Sequence, residues 1–522
     1  MYVVQIASEV APVAKIGGLA DVMMGLSREL KWKGIRVDTV IPKYDCLDTH
    51  GLSLECVQKG IRSFFDGEWH DHSLWRGRWS DASSGDLELT FLESHNPKRF
   101  FDRGCIYGCH DDIDRFLSFS RAVLQWLMGQ ETAPDVIHIH DWETAAIAFL
   151  IRAEPFRTYF EKTRTVLTIH NIAYQGRCQT MDLDRVGVSG SWYDSPKRLQ
   201  DDFGSDLNLL KGGIVFSDYV TTVSPTYATE VLTPEGGKGL HLTLNQYSDK
   251  FCGILNGIDY SYWNPEIDSH IPFRYSERSK AQSPEDKLLV SEKAKNKETL
   301  RKALGLKADS TKPLVVSISR LVQQKGVELI RYAILNAHKK GMQYIVLGTA
   351  PDPAIQWEFV TLAHTYAHDP HVRILLQQEE STAHRLYAAS DIFLMPSLFE
   401  PCGLTQLIAL KYGSIPIVRS TGGLCDTVFD VDYSKKPFAE TNGFVFNNPD
   451  VVGLDSALDR ALAFWRQDGE AWQSLMLQAM QYDFSWNTPA NHYLNIYQKI
   501  LSRNSYRYET DSTTEYSERA TQ

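Results

Sequence analysis

Several short stretches of this chain set cations, glycines and carboxylates where they could grip a phosphate and a sugar. Near the start, KIGGLAD places Lys15 ahead of Gly17, Gly18 and Asp21. Glycine lets backbone N–H groups approach an anion closely, a helix N-terminus adds partial positive charge, and Lys15 adds a full one. The set describes a phosphate or diphosphate pocket, or an ordinary helix start in which Asp21 favours the dipole. It is not a Walker loop, because no Gly-Lys-Ser/Thr follows, and it lacks the G-x-G-x-x-G dinucleotide pattern. HIHDWETA carries His138, His140 and Asp141, and TIHNIAYQG carries His170, Asn171, Tyr174 and Gln175. Such polar clusters are costly to bury without partners, so they point to a sugar-binding crevice or to satisfied buried histidines. Neither has the tight spacing of a metal site. SISRLVQQKG offers Arg320 and Lys325, which suit a bridging diphosphate or a solvated surface pair. FLMPSLFEPCGLTQ holds Glu400 in a Pro-Cys-Gly turn, with Cys402, Gly403, Leu404 and Thr405 leading into a helix. A carboxylate beside a phosphate site makes sense against a sugar hydroxyl, or against positive charge developing at a sugar carbon. Cys402 reads as a small packing residue more readily than as a nucleophile. Far downstream, STGGLCDTV repeats the Gly-Gly-Leu-x-Asp cassette with Thr421, Gly422 and Gly423.

The elements that must position these residues are short apolar runs alternating with helical patterns. The runs are VVQIA, RVDTVIP, DVIHIH, TVLTIH and YVTTVS, then LVVSIS, QYIVLG, VRILL, DIFLMP and SIPIVRS. Runs apolar on both faces suit a parallel sheet covered by helices, and their alternation with helices predicts a doubly wound α/β architecture with right-handed crossovers. Ligands of such sheets bind beyond the carboxyl ends of the strands, which is where the clusters above fall. A chain of 522 residues exceeds a single core. Two sequential domains are predicted, 1–263 and 264–483, with a polar, proline-bearing stretch from about Glu266 to Lys297 at the junction. Residues 503–522 are polar and read as a frayed tail.

Bulk properties narrow the function classes. A net charge of −11 argues against nucleic-acid or anionic-membrane partners. Eight cysteines without a CxxC pair argue against a disulfide framework or zinc cluster and for a reducing cytoplasm. The N-terminus has no basic n-region ahead of its short apolar run, so no signal peptide is expected, and no apolar run is long enough to span a bilayer.

Taken in order, KIGGLADV, HDWETA, TIHNIAYQG, LKGGIVFSDYVTTVSPTYATEV, GILNGIDYSYWNP, SRLVQQKG, PSLFEPCGLTQLIALKYGSIPIVRSTGGLCDTV and FSW resemble the bacterial glycogen synthase and plant-type starch synthase family over nearly all of the chain up to about Ser502. The resemblance implies a GT-B fold, two Rossmann-like doubly wound parallel-sheet domains facing a deep interdomain cleft. It implies a retaining glucosyltransferase that moves glucose from ADP-glucose, or UDP-glucose, to the non-reducing-end 4-hydroxyl of an α-1,4-glucan without metal or cofactor. By this resemblance Lys15 contacts the nucleotide-sugar, Arg320 and Lys325 neutralise the diphosphate, Glu400 lies against the donor sugar, and Asp141 and His170 line the glucose pocket. Gly17, Gly18, Asp21, Asn171, Tyr174, Gln175, Asn256, Cys402, Gly403, Leu404, Thr405, Thr421, Gly422 and Gly423 complete the expected substrate-binding set, the second cassette shaping the floor beside Glu400. The helix within 484–502 is expected to pack back on the first domain.

Three departures stand out: Ile16 within the first cassette, LGTAPDP where the family carries a further loop glycine, and QQEES, with Gln378 where an aromatic would stack on the base. The last bears on ADP against UDP. Other readings are a different GT-B transferase of the sucrose-phosphate or lipid type, a catalytically inactive glucan-binding scaffold, and a dehydrogenase, the last opposed by the missing dinucleotide fingerprint.

Overall fold

The computed structural model describes residues 1–81, 85–188, 198–276, 284–377 and 379–502. The frayed-tail expectation for 503–522, the position of Gln378 and part of the polar junction therefore lie outside the described residues. The chain divides into two compact units, one of Met1–Thr222, Val231–Ile254 and Asn487–Gln522, the other of Val223–Glu230 and Leu255–Trp486. The division falls after Ile254, where the sequence reading placed it after residue 263. The short Val223–Glu230 segment, which carries no composition signal, goes with the second unit.

The first unit is built on strands β1 (Tyr2–Ile6), β2 (Arg36–Pro42), β3 (Leu52–Phe65), β4 (Glu68–Asp81), β5 (Gly85–Ser94), β6 (Val136–His140) and β7 (Arg164–Ile169). After the small antiparallel pair β8 (Arg177–Cys178) and β9 (Leu207–Asn208) come β10 (Tyr219–Thr222) and β11 (Phe251–Gly253). Its nine-stranded sheet runs β11-β10-β7-β6-β1-β2-β5-β4-β3. The pairs from β11 through β5 are parallel, while β4 and β3 extend the edge as a long antiparallel hairpin. Central strands such as Tyr2–Ile6 and Val136–His140 are buried throughout. That accounts for their unbroken apolar runs. Helices α1 (Gly18–Trp32) and α2 (Asp112–Met128) are amphipathic covers. The helix Asn487–Ser502 also belongs to this unit, and its Tyr497 hydroxyl reaches His138 Nδ1 at 2.7 Å.

The second unit contains β12 (Leu314–Ile318), β13 (Gln343–Leu347), β14 (Val372–Leu375), β15 (Ile392–Met395), β16 (Ile415–Arg419) and β17 (Phe444–Phe446). They form one parallel sheet in the order β14-β13-β12-β15-β16-β17. Counted within the unit this is the Rossmann order 3-2-1-4-5-6. The sheet's core is continuous with Leu314, Val316, Ile345, Phe393, Leu407 and Ile417, all fully buried. Among the described residues no helix is long and apolar enough to cross a membrane.

Candidate active site

Strand order reverses in the second unit between β12 and β15, so the loops after those strands flank its switch point, where open α/β sheets bind ligands. The first loop carries Arg320 and Lys325, the second Glu400. The two are tied together: Leu398 N–H donates to Gln324 O at 2.7 Å, and Gln324 Nε2 donates to Phe399 O at 3.2 Å. Lys325 Nζ donates to Glu400 Oε2 at 2.5 Å, and Ser397 Oγ donates to the same oxygen at 3.0 Å. Both charged side chains are mostly withdrawn from water, Lys325 at 17% and Glu400 at 7% exposure. Glu400 Oε1 accepts no hydrogen bond among the described residues, and neither does the exposed Arg320 form an ion pair there. The acid thus keeps one oxygen, and the arginine its whole guanidinium, for something else.

The second glycine cassette is packed directly on this turn. Gly423 N–H donates to Glu400 O at 3.1 Å. Gly422 has φ +45, and a Cβ there would sit 1.9 Å from that same carbonyl oxygen; a Cβ on Gly423 would sit 2.2 Å from Cys402 O. Only glycine admits both the left-handed backbone and the close approach. On its other side the cassette is held by Glu230, whose Oε1 accepts from Gly422 N at 2.9 Å and Thr421 Oγ1 at 3.3 Å. Asp426 accepts from Thr226 N at 3.0 Å and Thr226 Oγ1 at 2.7 Å. These ties explain why Val223–Glu230 belongs to this unit. Cys402 is buried, and burial pushes its thiol up to about 12 against hydrogen bonding from Asn256. It is held as a protonated packing group. Asn256 is itself buried, and its Oδ1 lacks a hydrogen-bond partner among the described residues. Gly403 takes φ +75 as the turn ends, Leu404 packs partly buried on the core, and Thr405 Oγ1 donates to Met395 Sδ at 3.4 Å.

In the first unit the order reverses between β1 and β6. Asp141 follows β6 with φ +55, a left-handed conformation unusual for a residue with a side chain. Its Oδ1 accepts from His170 N at 2.6 Å and Asn171 N at 3.3 Å. Burial nevertheless pushes its carboxyl up to about 7, opposed by those N–H groups and helped by the nearby Glu9 charge. Burial, with Asp141 next, holds Glu143 well above the carboxylate range. Glu9, just past β1, accepts from Ile16 N at 2.6 Å and Gly17 N at 2.8 Å through Oε2, and from the Tyr107 hydroxyl at 2.7 Å through Oε1. The backbone amides of the first cassette therefore already face an anion, the protein's own carboxylate. Lys15 Nζ is ion-paired to Asp21 at 2.8 Å, and Gly18 opens α1 with Gly17 capping it.

A row of imidazoles runs across the strand ends. His138 and His140 stack at 4.3 Å, and His140 Nδ1 lies 3.0 Å from His170 Nε2. Burial pulls His138 and His170 down to about 3 and His140 well below its usual range. They are neutral hydrogen-bonding groups at physiological pH. His170 Nδ1 has no hydrogen bond among the described residues, so it can meet a sugar hydroxyl. Gln175 commits its amide to the protein, donating to Ile172 O and Lys238 O and accepting from Arg177 and Asn208. Asn171 Oδ1 caps Ala173 N–H at 3.1 Å, and Tyr174 is 62% exposed.

The structure thus groups Lys15, Gly17, Gly18, Asp21, Asp141, His170 and Asn171 around one switch point, and Arg320, Lys325, Glu400, Cys402, Thr421, Gly422 and Gly423 around the other. Sequence reasoning passed over Glu9, Tyr107, Glu143 and Glu230. Glu9 was within reach, since it is a polar residue directly after a strand like those singled out; Tyr107 and Glu230 act across long loops and leave no local signal. Among the described residues no group of His, Cys, Asp and Glu is arranged to hold a metal.

Residues 2–246 match the starch synthase catalytic domain family, and residues 296–468 match glycosyl transferases group 1. The chain is 49% identical to a glycogen synthase of Protochlamydia amoebophila, over 97% of this chain and all (100%) of that one. It is 44% identical to probable starch synthase 4 of Arabidopsis thaliana, over 96% of this chain and 47% of that protein. The solved catalytic domain of Arabidopsis starch synthase IV, bound to ADP and acarbose, superposes with a TM-score of 0.91 at 44% identity, covering 96% of this chain and 99% of that one. A sucrose-phosphate synthase from Thermosynechococcus elongatus shares the fold alone, with a TM-score of 0.57 at 16% identity over 96% of this chain and 98% of that one.

Proposed function

The chain belongs to the glycogen synthase and starch synthase family of glycosyltransferases, with the GT-B combination of two Rossmann-like α/β units, and from that premise we propose that it lengthens α-1,4-glucan with glucose from ADP-glucose, retaining the anomeric configuration. The observation that carries the reading is the triad at the second switch point. Arg320 is unpaired among the described residues, Lys325 is bonded to Glu400, and Glu400 keeps one oxygen open.

As the bond between glucose and diphosphate breaks, negative charge gathers on the leaving group and positive charge on the sugar ring. Arg320 and Lys325 stabilise the first. Glu400, steered by Lys325 and Ser397, faces the second. Preorganised charges of this kind are worth far more in a dry site than in water. Neutral His170 and the Asn171 segment orient glucose hydroxyls. The ADP held by the Arabidopsis starch synthase domain supports an adenine nucleotide as leaving group. The reaction needs no membrane or nucleic-acid partner and suits the cytoplasm.

The test is transfer of labelled glucose to glycogen, with ADP-glucose and UDP-glucose side by side. Incorporation faster from ADP-glucose is expected. Faster transfer from UDP-glucose overturns the donor assignment, and no incorporation from either overturns the activity.

A further inference from the structure

Cys105 and Cys109 lie in the loop between β5 and α2, and their Sγ atoms are 3.5 Å apart. Both thiols are free and partly exposed, so a small reagent can reach them.

Their closeness is held from the backbone. Asp112, the first residue of α2, accepts from Gly108 N–H at 2.9 Å and from Cys109 N–H at 3.2 Å. The fully buried Arg115 is ion-paired to Asp112 and donates to Cys105 O at 3.4 Å and Phe100 O at 2.5 Å. One ion pair thus fixes the main chain of both cysteines. Arg103, bound to Asp111 at 2.9 Å, closes the outside of the loop, and its guanidinium is also hydrogen-bonded to Cys109. A cation beside one thiol, with a second thiol in reach, is the setting of redox-responsive cysteines. Burial, then the hydrogen bond with Cys109, raises the Cys105 thiol above its ordinary value, which suits it to act second.

Tyr107 stands between the two thiols. Its hydroxyl lies 2.6 Å from Ser8 Oγ and donates to Glu9 Oε1 at 2.7 Å. Glu9 in turn holds the Ile16 and Gly17 amides of the first cassette. In a disulfide the sulfurs are about 2.05 Å apart, so closure draws them together by about 1.5 Å. With Cys105 O and Cys109 N–H pinned, that movement passes into Ile106–Gly108, where Gly108 at φ +91 is the adaptable joint. Hydrogen bonds as short as those of Tyr107 do not survive a shift of this size.

We propose that Cys105 and Cys109 form a reversible dithiol–disulfide switch that withdraws Tyr107 from Glu9 when oxidised. The co-reactant is a low-molecular-weight disulfide. The Cys109 thiolate attacks one of its sulfurs, forming a mixed disulfide and expelling one thiolate. The Cys105 thiol gives its proton to water and attacks the Cys109 sulfur, expelling the second thiolate. The protein loses two electrons and two protons, and the reagent becomes two thiols. The effect on glucose transfer rests on the function proposed above.

The experiment treats the full chain, Cys105→Ser, Cys109→Ser and the double variant with oxidised glutathione and then with dithiothreitol. Peptide mass mapping of the oxidised wild type should show Cys105 joined to Cys109 with the loss of two hydrogens. Cys105→Ser should instead retain glutathione on Cys109, because no resolving thiol remains. With ADP-glucose and glycogen, oxidation of the wild type should raise the KM for the donor about tenfold, the lower end of what a hydrogen bond to a charged group supplies. Dithiothreitol should restore it. The double variant should match reduced wild type and respond to neither reagent, which separates this pair from the other cysteines. A missing Cys105–Cys109 bridge overturns the proposal. So do a bridged wild type with unchanged kinetics and a double variant that loses activity on oxidation as the wild type does. If the reduced wild type transfers no glucose, the proposed function fails, and mapping still decides the switch: a bridge that forms and is reversed supports it, and no bridge refutes it.

Discussion

Replacing Lys325 by alanine separates the structural role of its ammonium group, paired with Glu400, from the catalytic role proposed for it. Lys325 and Glu400 are 2.5 Å apart and only 17% and 7% exposed, so the variant leaves a carboxylate withdrawn from water with Ser397 as its remaining donor. Removing one partner of a buried pair destabilises by about 3–5 kcal/mol. The Ser397 contact and the residual exposure of Lys325 place this case near about 3 kcal/mol. At about 2–4 °C per kcal/mol for a unit of this size, the second unit should melt about 6–12 °C lower. Turnover at saturating donor should fall about 100- to 1,000-fold, the usual loss when one preorganised charge is removed. The double variant Lys325→Ala/Glu400→Gln discriminates between the two effects. It removes the stranded charge and should regain most of the melting temperature while remaining inactive. Calorimetry and labelled-glucose transfer on the three proteins provide the readout. Wild-type turnover in Lys325→Ala refutes the catalytic role, and an unchanged melting temperature refutes the buried-pair argument.

Further outcomes follow from the same geometry. Gly422→Ala places a Cβ 1.9 Å from Glu400 O on a backbone at φ +45, and should cost about 1–3 kcal/mol as well as most of the activity; calorimetry and the transfer assay check both. Asp141 has its carboxyl raised to about 7, so activity should fall as pH drops through that value, and Asp141→Asn should lose this acid limb. In stability the sign is opposite: the folded state holds a proton that the unfolded state releases near its ordinary value, so this group's contribution declines as pH rises from about 4 to about 7, and thermal melts across that window should show the Asn variant flatter. Lys293 is fully withdrawn beneath the carbonyls of Tyr387, Ala388 and Tyr412, and burial lowers it from 10.5 to about 7. Between those values the unfolded chain binds the extra proton, so this group's contribution to stability grows with rising pH, and melts of Lys293→Met should lack that rise.

Much of the framework was legible in the sequence because parallel strands buried on both faces write themselves as continuous apolar runs. VVQIA, DVIHIH, LVVSIS and DIFLMP all proved to be central strands. The site loops were legible for a related reason: a polar residue directly after such a run has few purposes. The β3–β4 hairpin was not, since its outer strand alternates with exposed residues and its register slips twice. Partner choice was not legible either. KIGG shows amides and a cation, but only the folded chain reveals that Glu9 occupies the amides and Asp21 the cation. Nothing near TYATE announces that Glu230 will brace a glycine turn nearly two hundred positions later (|i−j| = 192).

The helix Asn487–Ser502 belongs to the unit whose other strands are translated first. On the ribosome, His138 must therefore wait for Tyr497, which emerges after every strand of the second unit. The second Rossmann body can mature as an insertion within an unfinished host, and the host's imidazole row closes only after the second unit has been made. A nascent chain stalled before residue 487 should accordingly show a protease-resistant second unit beside a first unit that is still readily cut.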